Sequence, residues 1–361
     1  MLRVTKISLL QFKNYGQREF PVENSLVGIA GPNGIGKTNL LDALYYACFT
    51  RSYFTKSDQM VVQKGQSGFR LEVVFEKEGQ QNTVTAILRE NGKKEFLVDG
   101  IPYSRISQHI GLFPAIMIGP DDIQIITEGS EVRRSYLDSL ISQMNGTYLQ
   151  DLIYYNKLIT QRNSLLKQFT ETRTWNEALL DVYTEQLSPL GDRIFSTRKE
   201  VLGILIPIIG KLYESIAGKD EGLTLQYSSL LHSKSMRSLL AENLEKDRML
   251  QRTSQGIHRD DIITTLFDEP FKNIASQGQR KSLLFAFKLA AFEYLKSQKG
   301  FSPLLLLDDV FEKLDAERMH NLLVQVSAGT ETQIIITDTH AERIKTHFNQ
   351  LNRDFQLIEM K

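Results

Sequence analysis

Eight residues near the start of the chain have the types and the spacing that bind phosphate. They fit the pattern G-x-x-x-x-G-K-[ST] and are Gly31, Pro32, Asn33, Gly34, Ile35, Gly36, Lys37 and Thr38. Glycines let backbone N–H groups close around phosphate oxygens, and the N-terminus of the following helix adds partial positive charge. We expect Lys37 to neutralise the β- and γ-phosphates and the Thr38 hydroxyl to bind Mg²⁺. The stretch predicts a nucleotide-binding loop; the alternative is a glycine-rich turn with an exposed lysine.

A pair of carboxylates at the end of the run "LLLLDD" complements this loop. Asp308 ends an apolar strand, and we expect it beside the phosphate loop of the neighbouring strand, where it holds Mg²⁺ directly or through water. Asp309 is the candidate general base that orients the attacking water. Because aspartate is one methylene shorter than glutamate, we expect slow hydrolysis. The alternative is that both aspartates cap the helix that follows.

The third group of polar residues is the turn "SQGQ" at 276–279, directly ahead of an apolar helical stretch. Ser276 followed three residues later by Gln279 fits the capping box, in which each side chain satisfies a free backbone N–H group. The turn also contains Gly278. It is therefore either only the cap of its helix or, together with the loop and the carboxylates, half of an active site.

Apolar runs predict the elements that position these groups. Residues 25–30, 303–309 and 333–337 form near-continuous apolar runs typical of buried parallel strands in an α/β sheet. Between the first of these and residue 100, short alternating segments carry the turns Asn91-Gly92 and Asp99-Gly100, as antiparallel hairpins do. We predict a mixed sheet with flanking helices and antiparallel hairpins.

From about Ser130 the pattern changes to helical periodicity. We expect Pro189 to separate two helices and Pro207 to kink one, so that the longest helix has about 27 residues and a length of about 40 Å. This predicts an inserted short helical arm. The expected domains are 1–135 and 251–361 for the two parts of the α/β head and 136–250 for the arm.

Composition sets limits on the remaining possibilities. The chain has 361 residues, 41% of them apolar, with 43 basic and 43 acidic side chains, so net charge neither supports nor excludes DNA binding. The single cysteine, Cys48, is expected in the core, and its isolation indicates a reducing compartment. Residues 1–10 alternate as in a β-strand and lack the apolar centre of a signal peptide. The apolar run that begins at Val201 is too short to span a bilayer. We expect a cytoplasmic protein without a membrane partner.

Taken together, these motifs resemble the RecF family of DNA-repair ATPases, which is related to SMC proteins and to ABC-type ATPase heads. The resemblance runs from end to end. It rests on "GPNGIGKTNLLDALYYACFTRSYF" (31–54), "IGPDDIQIITEGSEVRRSYLD" (118–138), "GIHRDD" (256–261), "SQGQRKSLLFAFKLA" (276–290) and "LLLLDDVFEKLD" (304–315). It implies an ABC/SMC-type P-loop ATPase head with a short helical arm in place of a long coiled coil.

The resemblance also implies how the motifs work together. Two heads would close into an ATP-dependent homodimer around two nucleotides with Mg²⁺, and Ser276, Gly278 and Gln279 of one subunit would reach the γ-phosphate held by the other. Asp315 would lie at the same interface. The implied partners are double-stranded DNA, single-stranded DNA and gapped DNA with its single-strand/double-strand junctions, together with RecR, RecO and, indirectly, RecA. The implied roles are recombinational gap repair, replication restart and SOS induction.

Several positions leave alternatives open. Glu312 stands where a small serine is usual in the family. His340 is either the γ-phosphate sensor or a surface histidine, Gln124 is a possible Q-loop residue, and Lys13 is either near the nucleotide or solvated. The segment "HRDD" at 258–261 is either functional or a buried salt-bridge cluster. The candidate phosphate contacts to DNA, which could equally be solvated charges, are Lys56, Arg133, Arg134 and Arg173.

Two other functions share the same head motifs. One is the ATPase subunit of a membrane transporter, which the inserted arm and the hairpin region disfavour. The other is an SMC-type chromosome organiser, which a short arm disfavours because a long coiled coil is needed.

Overall fold

The computed structural model describes residues 1–310, 332–351 and 353–361. Asp315 and Glu312 lie outside the described residues. The chain divides into two compact units: a first unit of Met1–Ile123 with Lys281–Lys361, and a second unit of Gln124–Arg280. The boundaries expected from the sequence near residues 135 and 250 remain predictions.

The first unit is built on two sheets. Its strands are β1 (Leu2–Phe12), β2 (Tyr15–Pro21), β3 (Leu26–Ala30), β4 (Phe69–Lys77), β5 (Gln80–Leu88), β6 (Lys94–Val98), β7 (Ile101–Pro102), β8 (Ala115–Ile118), β12 (Leu304–Leu307), β13 (Ile334–Asp338) and β14 (Phe355–Glu359). Its helices are α1 (Lys37–Phe49), α10 (Ala341–Gln350) and most of α9 (Gln277–Lys299). Short 3-10 turns cover Asp58–Val61, Ile106–His109 and Pro120–Ile123.

The parallel sheet has the strand order β14-β3-β13-β12-β8. Strands β3, β12 and β13 are buried at every position, which explains their continuous apolar sequences, because a parallel sheet is covered on both faces. All three strands predicted from the apolar runs are therefore confirmed. The sequence did not single out β8, which has only four residues, or β14, whose residues are mostly half-buried.

The antiparallel sheet has the order β2-β1-β4-β5-β6-β7. The predicted turns join its hairpins: Gly92 has φ +76°, and Asp99 and Gly100 have φ +52° and +78°. Two consecutive left-handed residues are what a two-residue hairpin turn requires, and Asp-Gly satisfies that requirement at low cost. Cys48 is buried and free on α1, as expected from the sequence.

The second unit is mainly helical but contains its own sheet. Its helices are α2 (Gln124–Thr127), α3 (Ser130–Ser142), α4 (Gly146–Thr172), α5 (Glu177–Ala217), α6 (Met236–Glu242), α7 (Leu244–Leu250), α8 (Phe271–Ile274) and the first residues of α9. Its strands are β9 (Leu223–Ser228), β10 (Asp261–Leu266) and β11 (Glu269–Pro270), in the order β11-β10-β9. Short 3-10 turns cover Leu230–His232 and Ile257–Arg259.

Helix α5 corrects two expectations from the sequence. It runs for 41 residues, about 60 Å, and contains both Pro189 and Pro207, so Pro189 does not separate two helices and the longest helix exceeds 27 residues. Both prolines are exposed, as are Glu185 and Gly203 four positions before them. Water can therefore satisfy the carbonyl groups that lose a partner, which lowers the cost of proline inside the helix.

No helix in the described parts of the chain is long and apolar enough to cross a membrane.

Candidate functional site

The phosphate loop connects β3 to α1, as predicted. Pro32, Asn33 and Gly34 are exposed, and α1 begins at Lys37, so its first N–H groups face out of the helix end. Gly36 has φ +116°, and a Cβ atom there would lie 2.5 Å from Asn14 Nδ2. The backbone angle favours glycine at this position, and a side chain there would also have to displace the Asn14 amide.

The Lys37 side chain lies inside the loop. Its ammonium group donates hydrogen bonds to the carbonyl oxygens of Gly31 at 2.8 Å and Pro32 at 3.1 Å, and the residue is 5% exposed. The exposed-lysine alternative is therefore wrong. A cation held among carbonyl dipoles in this way is placed to exchange those weak acceptors for phosphate oxygens.

Asp308 lies directly beside this loop, at the carboxyl end of β12. Its two carboxylate oxygens each lie 3.0 Å from the Thr38 hydroxyl, and Oδ1 also accepts from the Thr337 hydroxyl at 2.7 Å. Burial raises the pKa of the Asp308 carboxyl, while the hydrogen bonds from Thr337 and Thr38 act in the opposite direction. The fold thus keeps a fully buried carboxylate next to the phosphate loop, where a bound cation would stabilise its charge.

The donors at this position fit Mg²⁺. They are a carboxylate and a hydroxyl, both oxygen ligands, and Mg²⁺ is usually held by one or two carboxylates together with substrate phosphates and water. Among the described residues, no group of three or more His, Cys, Asp or Glu side chains could hold a metal ion. Thr38 and Asp308 would supply two oxygen ligands to such an ion.

Asp309 follows Asp308 with a left-handed backbone, at φ +47°. Its N–H group donates to the Thr337 hydroxyl at 3.0 Å, and that same hydroxyl donates to Asp308. Thr337 on β13 therefore fixes the backbone between the two aspartates. The sequence alone did not assign this role to Thr337, because nothing in a linear sequence shows which neighbouring strand supports a carboxylate.

The segment after β13 starts beside the phosphate loop, since Gly31 N–H donates to the Asp338 carbonyl at 3.3 Å. The buried Asp338 carboxylate accepts from the N–H group of His340 at 2.6 Å and lies 3.6 Å from the Arg343 guanidinium. His340 precedes α10, and its side chain is 68% exposed. The backbone of His340 is thus fixed. Its role as the γ-phosphate sensor remains a prediction.

Lys13 pairs with Asp42, a fully buried carboxylate on α1, and its ammonium group lies 5.2 Å from the centre of the Phe54 ring. Asp42 also accepts from the Ser52 hydroxyl and the Tyr53 N–H group, both at 2.7 Å. The side chain is therefore not solvated. It neutralises a buried charge and ties the start of the chain to the helix that follows the phosphate loop.

The turn at Ser276 is a capping box, as predicted. Gln279 N–H donates to Ser276 Oγ at 3.2 Å, and Ser276 N–H donates to Gln279 Oε1 at 2.8 Å. The other end of the Gln279 amide donates to Glu221 Oε2 at 3.1 Å, and Glu221 also accepts from the Tyr213 hydroxyl. Sequence reasoning missed Glu221, because 58 residues separate it from Gln279 and no motif surrounds it.

The "HRDD" segment forms part of a buried ion-pair cluster in the second unit. The Arg198 guanidinium donates to Asp138 at 2.8 Å and to Asp260 at 3.3 Å, and Asp260 also accepts from the Tyr227 hydroxyl at 2.6 Å. Burial raises the pKa of the Asp260 carboxyl. The contacts therefore favour the interpretation of this segment as a buried salt-bridge cluster.

Two of the candidate DNA-contacting residues form hydrogen bonds with the "HRDD" segment. Arg133 makes a two-point contact with the Asp261 carboxylate at 2.6 and 2.9 Å, and Arg134 donates to the Asp260 carbonyl at 2.6 Å. These guanidinium groups already have partners within the unit. The remaining candidates, which are exposed, are Lys56 and Arg173.

Comparison with known proteins adds to this geometry. Residues 3–356 match the model of the RecF/RecN/SMC N terminal domain. The chain is similar to the DNA replication and repair protein RecF of Flavobacterium johnsoniae, with 40% identity over 99% of this chain and 100% of that protein, and to that of Cytophaga hutchinsonii, with 38% identity over 98% and 94%. A solved structure of the recombination mediator protein RecF-ATPrS in the RecFOR pathway superposes with a TM-score of 0.86 and 28% identity, covering 94% of this chain and 93% of that one.

Proposed function

The chain belongs to the RecF family, and on that premise we propose that it is an ATP-dependent DNA-binding protein of gap repair, DNA replication and recombination. The observation that carries the proposal is the contact between Thr38 and Asp308 beside a loop built around Lys37. A cation-binding hydroxyl, a buried carboxylate and an ammonium group at one helix N-terminus are the parts that bind a nucleoside triphosphate with Mg²⁺. The RecF solved as RecF-ATPrS supports ATP as the nucleotide.

Each residue of the site has a separate task. Lys37 would exchange two carbonyl acceptors for phosphate oxygens, and the N–H groups at the start of α1 would hold the same phosphates. Thr38 and Asp308 would hold Mg²⁺, and Asp309 would orient water for attack. When bound, ATP and Mg²⁺ supply the charged triphosphate that joins two subunits and the bond whose hydrolysis releases them. Slow hydrolysis is expected because Asp309 has a short side chain.

The capped turn completes the site from a second copy of the chain. A helix N-terminus fixed by a capping box offers N–H groups and partial positive charge to an anion. Ser276, Gly278 and Gln279 of one subunit would therefore contact the γ-phosphate bound by the other. Because those contacts exist only in the closed pair, ATP binding favours the homodimer.

The partners follow from the family. We propose binding to double-stranded, single-stranded and gapped DNA, with preference for the single-strand/double-strand junction, and cooperation with RecR and RecO in placing RecA on gapped DNA. The RecF structure described for the RecFOR pathway supports the association with RecO and RecR. The equal numbers of basic and acidic residues mean that such contacts come from local patches.

DNA binding with and without ATP, measured across a salt series, tests the proposal. Gapped, single-stranded and blunt duplex DNA are compared at each salt concentration, because phosphate contacts alone weaken steeply with salt. We expect ATP to tighten binding, most of all on gapped DNA, and DNA to stimulate ATP hydrolysis. DNA affinity that is the same with and without ATP on all three DNAs would contradict the proposal. ATP hydrolysis that is stimulated only by a membrane partner would favour a transporter ATPase.

A further inference from the structure

The hairpin that precedes the capped turn has an unusual residue at its tip. Strands β10 and β11 are joined by Phe267 and Asp268, since Leu266 pairs with Glu269. Phe267 has φ +50° and Asp268 has φ +64°. Asparagine, aspartate and glycine suit such a turn, whereas phenylalanine is strained in the left-handed region. The chain therefore keeps a large apolar residue where the local backbone disfavours it.

The Phe267 side chain is also 70% exposed, yet it is held in place. A Cβ atom on Gly222 would lie 2.9 Å from the ring, so one edge of the ring rests on the glycine backbone. Phe267 N–H donates to the Gly222 carbonyl at 3.2 Å, and Gly222 N–H donates to the Asp220 carboxylate at 2.8 Å. An oriented, strained and exposed aromatic side chain is typical of a binding contact.

This hairpin tip adjoins the capped turn. Glu221, next to Gly222, accepts the hydrogen bond from the Gln279 amide at 3.1 Å. Ile274, two residues before Ser276, is itself 49% exposed. Apolar side chains therefore stand beside the polar turn that the proposed function places against a second copy of the chain.

The first unit also carries an exposed apolar side chain, on a turn that is linked to the phosphate loop through Lys13 and Asn14. Met60 is 68% exposed on the 3-10 turn Asp58–Val61. The Val61 carbonyl in that turn accepts from Lys13 N–H at 2.7 Å, and the adjacent Asn14 amide donates to the Ile35 carbonyl of the loop at 2.8 Å. Exposed apolar side chains thus lie near both parts of the site that two copies would share.

We propose that Phe267 is a dimer contact, which packs in the ATP-bound pair against the Asp58–Val61 turn beside the partner's phosphate loop, with Met60 of the partner subunit as its neighbour. The inference rests on the proposed shared site. A second copy is the occupant because the proposed function sets the capped turn of one subunit against the phosphate loop of the other. Methionine sulfur and aromatic rings attract each other, and in a two-fold dimer the contact occurs twice.

The substitution Phe267→Asn tests this contact without weakening the turn, because asparagine suits the left-handed backbone. The full chain is measured by sedimentation with Mg²⁺ and ATPγS across protein concentrations. We expect the dissociation constant of the dimer to rise about tenfold or more, with nucleotide binding to the monomer and the melting temperature of the nucleotide-free protein retained. Met60→Asn should also raise the dissociation constant of the dimer. In the double variant this constant should rise by less than the product of the two single fold-changes.

Met249→Asn is the matched control, since Met249 is 76% exposed on α7, and it should dimerise as the wild type does. Unchanged dimerisation of Phe267→Asn, while the wild type dimerises, overturns the inference and leaves the shared site intact. Loss of DNA binding by that variant with normal dimerisation assigns the ring to DNA and also overturns it. A wild type that remains monomeric with nucleotide overturns both the inference and the proposed dimer.

Discussion

The Thr38 hydroxyl lies 3.0 Å from both carboxylate oxygens of Asp308, although 270 positions separate the two residues in the chain. The parallel sheet causes this proximity, because β3 leads into the phosphate loop and Asp308 follows directly after β12, with only β13 between these two strands. Carboxyl ends of parallel strands meet at one edge of a sheet, which is where ligands bind in such folds. Thr337, at the end of the intervening strand, supports both aspartates.

The substitution Asp308→Asn separates the stability of the fold from nucleotide binding. Burial raises the pKa of the Asp308 carboxyl, so keeping this carboxylate ionised in the folded protein costs stability. We therefore expect the nucleotide-free variant to melt no lower than the wild type. At a hundredfold excess of ATP over Kd, with Mg²⁺ present, the free energy of unfolding of the wild type should rise by about 3 kcal/mol. The free energy of unfolding of the variant should rise far less.

Asp99→Asn is the control for that experiment, because it makes the same change in a hairpin turn where asparagine tolerates the backbone. Thermal unfolding with and without Mg²⁺ and ATP gives both quantities. A full nucleotide response in Asp308→Asn would remove Asp308 from the metal site.

The substitution Asp309→Asn tests the general base. Asparagine accepts the left-handed backbone at this position, so the fold and ATP binding should be retained. Loss of a general base lowers turnover by about 10²- to 10⁴-fold, and the ATP-bound dimer should then remain on DNA for much longer. Single-turnover hydrolysis and dimer lifetime measure the effect. Turnover at the wild-type rate would reassign the base to another residue.

Glu221 is expected to position the capped turn through Gln279. Glu221→Ala should leave nucleotide binding to the monomer unchanged and weaken ATP-driven dimerisation by about tenfold, the cost of roughly one charge-assisted hydrogen bond. Glu221→Gln keeps an acceptor for the Gln279 amide, so it should recover most of the dimer affinity. Equal defects in both variants would show that the negative charge, rather than the orientation of Gln279, is what matters.

Two buried histidines predict acid sensitivity. Burial lowers the pKa of His109 and of His258 to about 4. The unfolded chain takes up protons near pH 6.5, before the folded chain does, so stability is complete above pH 6.5 and is lost as the pH falls towards 4. Each histidine should cost about 2 kcal/mol of unfolding free energy by pH 5.

Urea unfolding at pH 7.5, 6 and 5 measures this loss in the wild type and in His258→Gln. Glutamine can accept from the Tyr155 hydroxyl and donate to the Thr253 carbonyl as His258 does, at 2.9 and 3.1 Å. The variant should lose about 2 kcal/mol less than the wild type between pH 7.5 and 5. His340→Gln, at an exposed position, should follow the wild type. Identical losses in wild type and His258→Gln would contradict the prediction.

Local patterns were sufficient to predict the parts of the site that depend on local structure. The glycine spacing defines the loop before Lys37, the apolar run defines the strand before Asp308, and Ser276 with Gln279 defines the helix cap. Each of these depends on neighbours within a few residues, so the sequence carries the information directly.

The features that were missed depend on partners distant in the chain or on exposure. Pro189 stays inside α5 because it faces water, which periodicity alone did not reveal. Strand β9 pairs with β10 across more than 30 residues, from Leu223 to Leu266, within a region that otherwise has helical periodicity. Glu221 lies between α5 and β9, so its role follows only from the tertiary contact with Gln279.

The most direct measurement of the shared site is sedimentation of Ser276→Arg with ATP and Mg²⁺, beside Lys37→Met and Ser276→Ala. Lys37→Met should lose ATP binding, whereas Ser276→Arg should bind ATP as a monomer and fail to dimerise. Ser276→Ala loses the same cap, worth about 1 kcal/mol, without adding bulk, and should dimerise better than the arginine variant. Normal ATP-induced dimerisation of Ser276→Arg would contradict a site shared between two subunits.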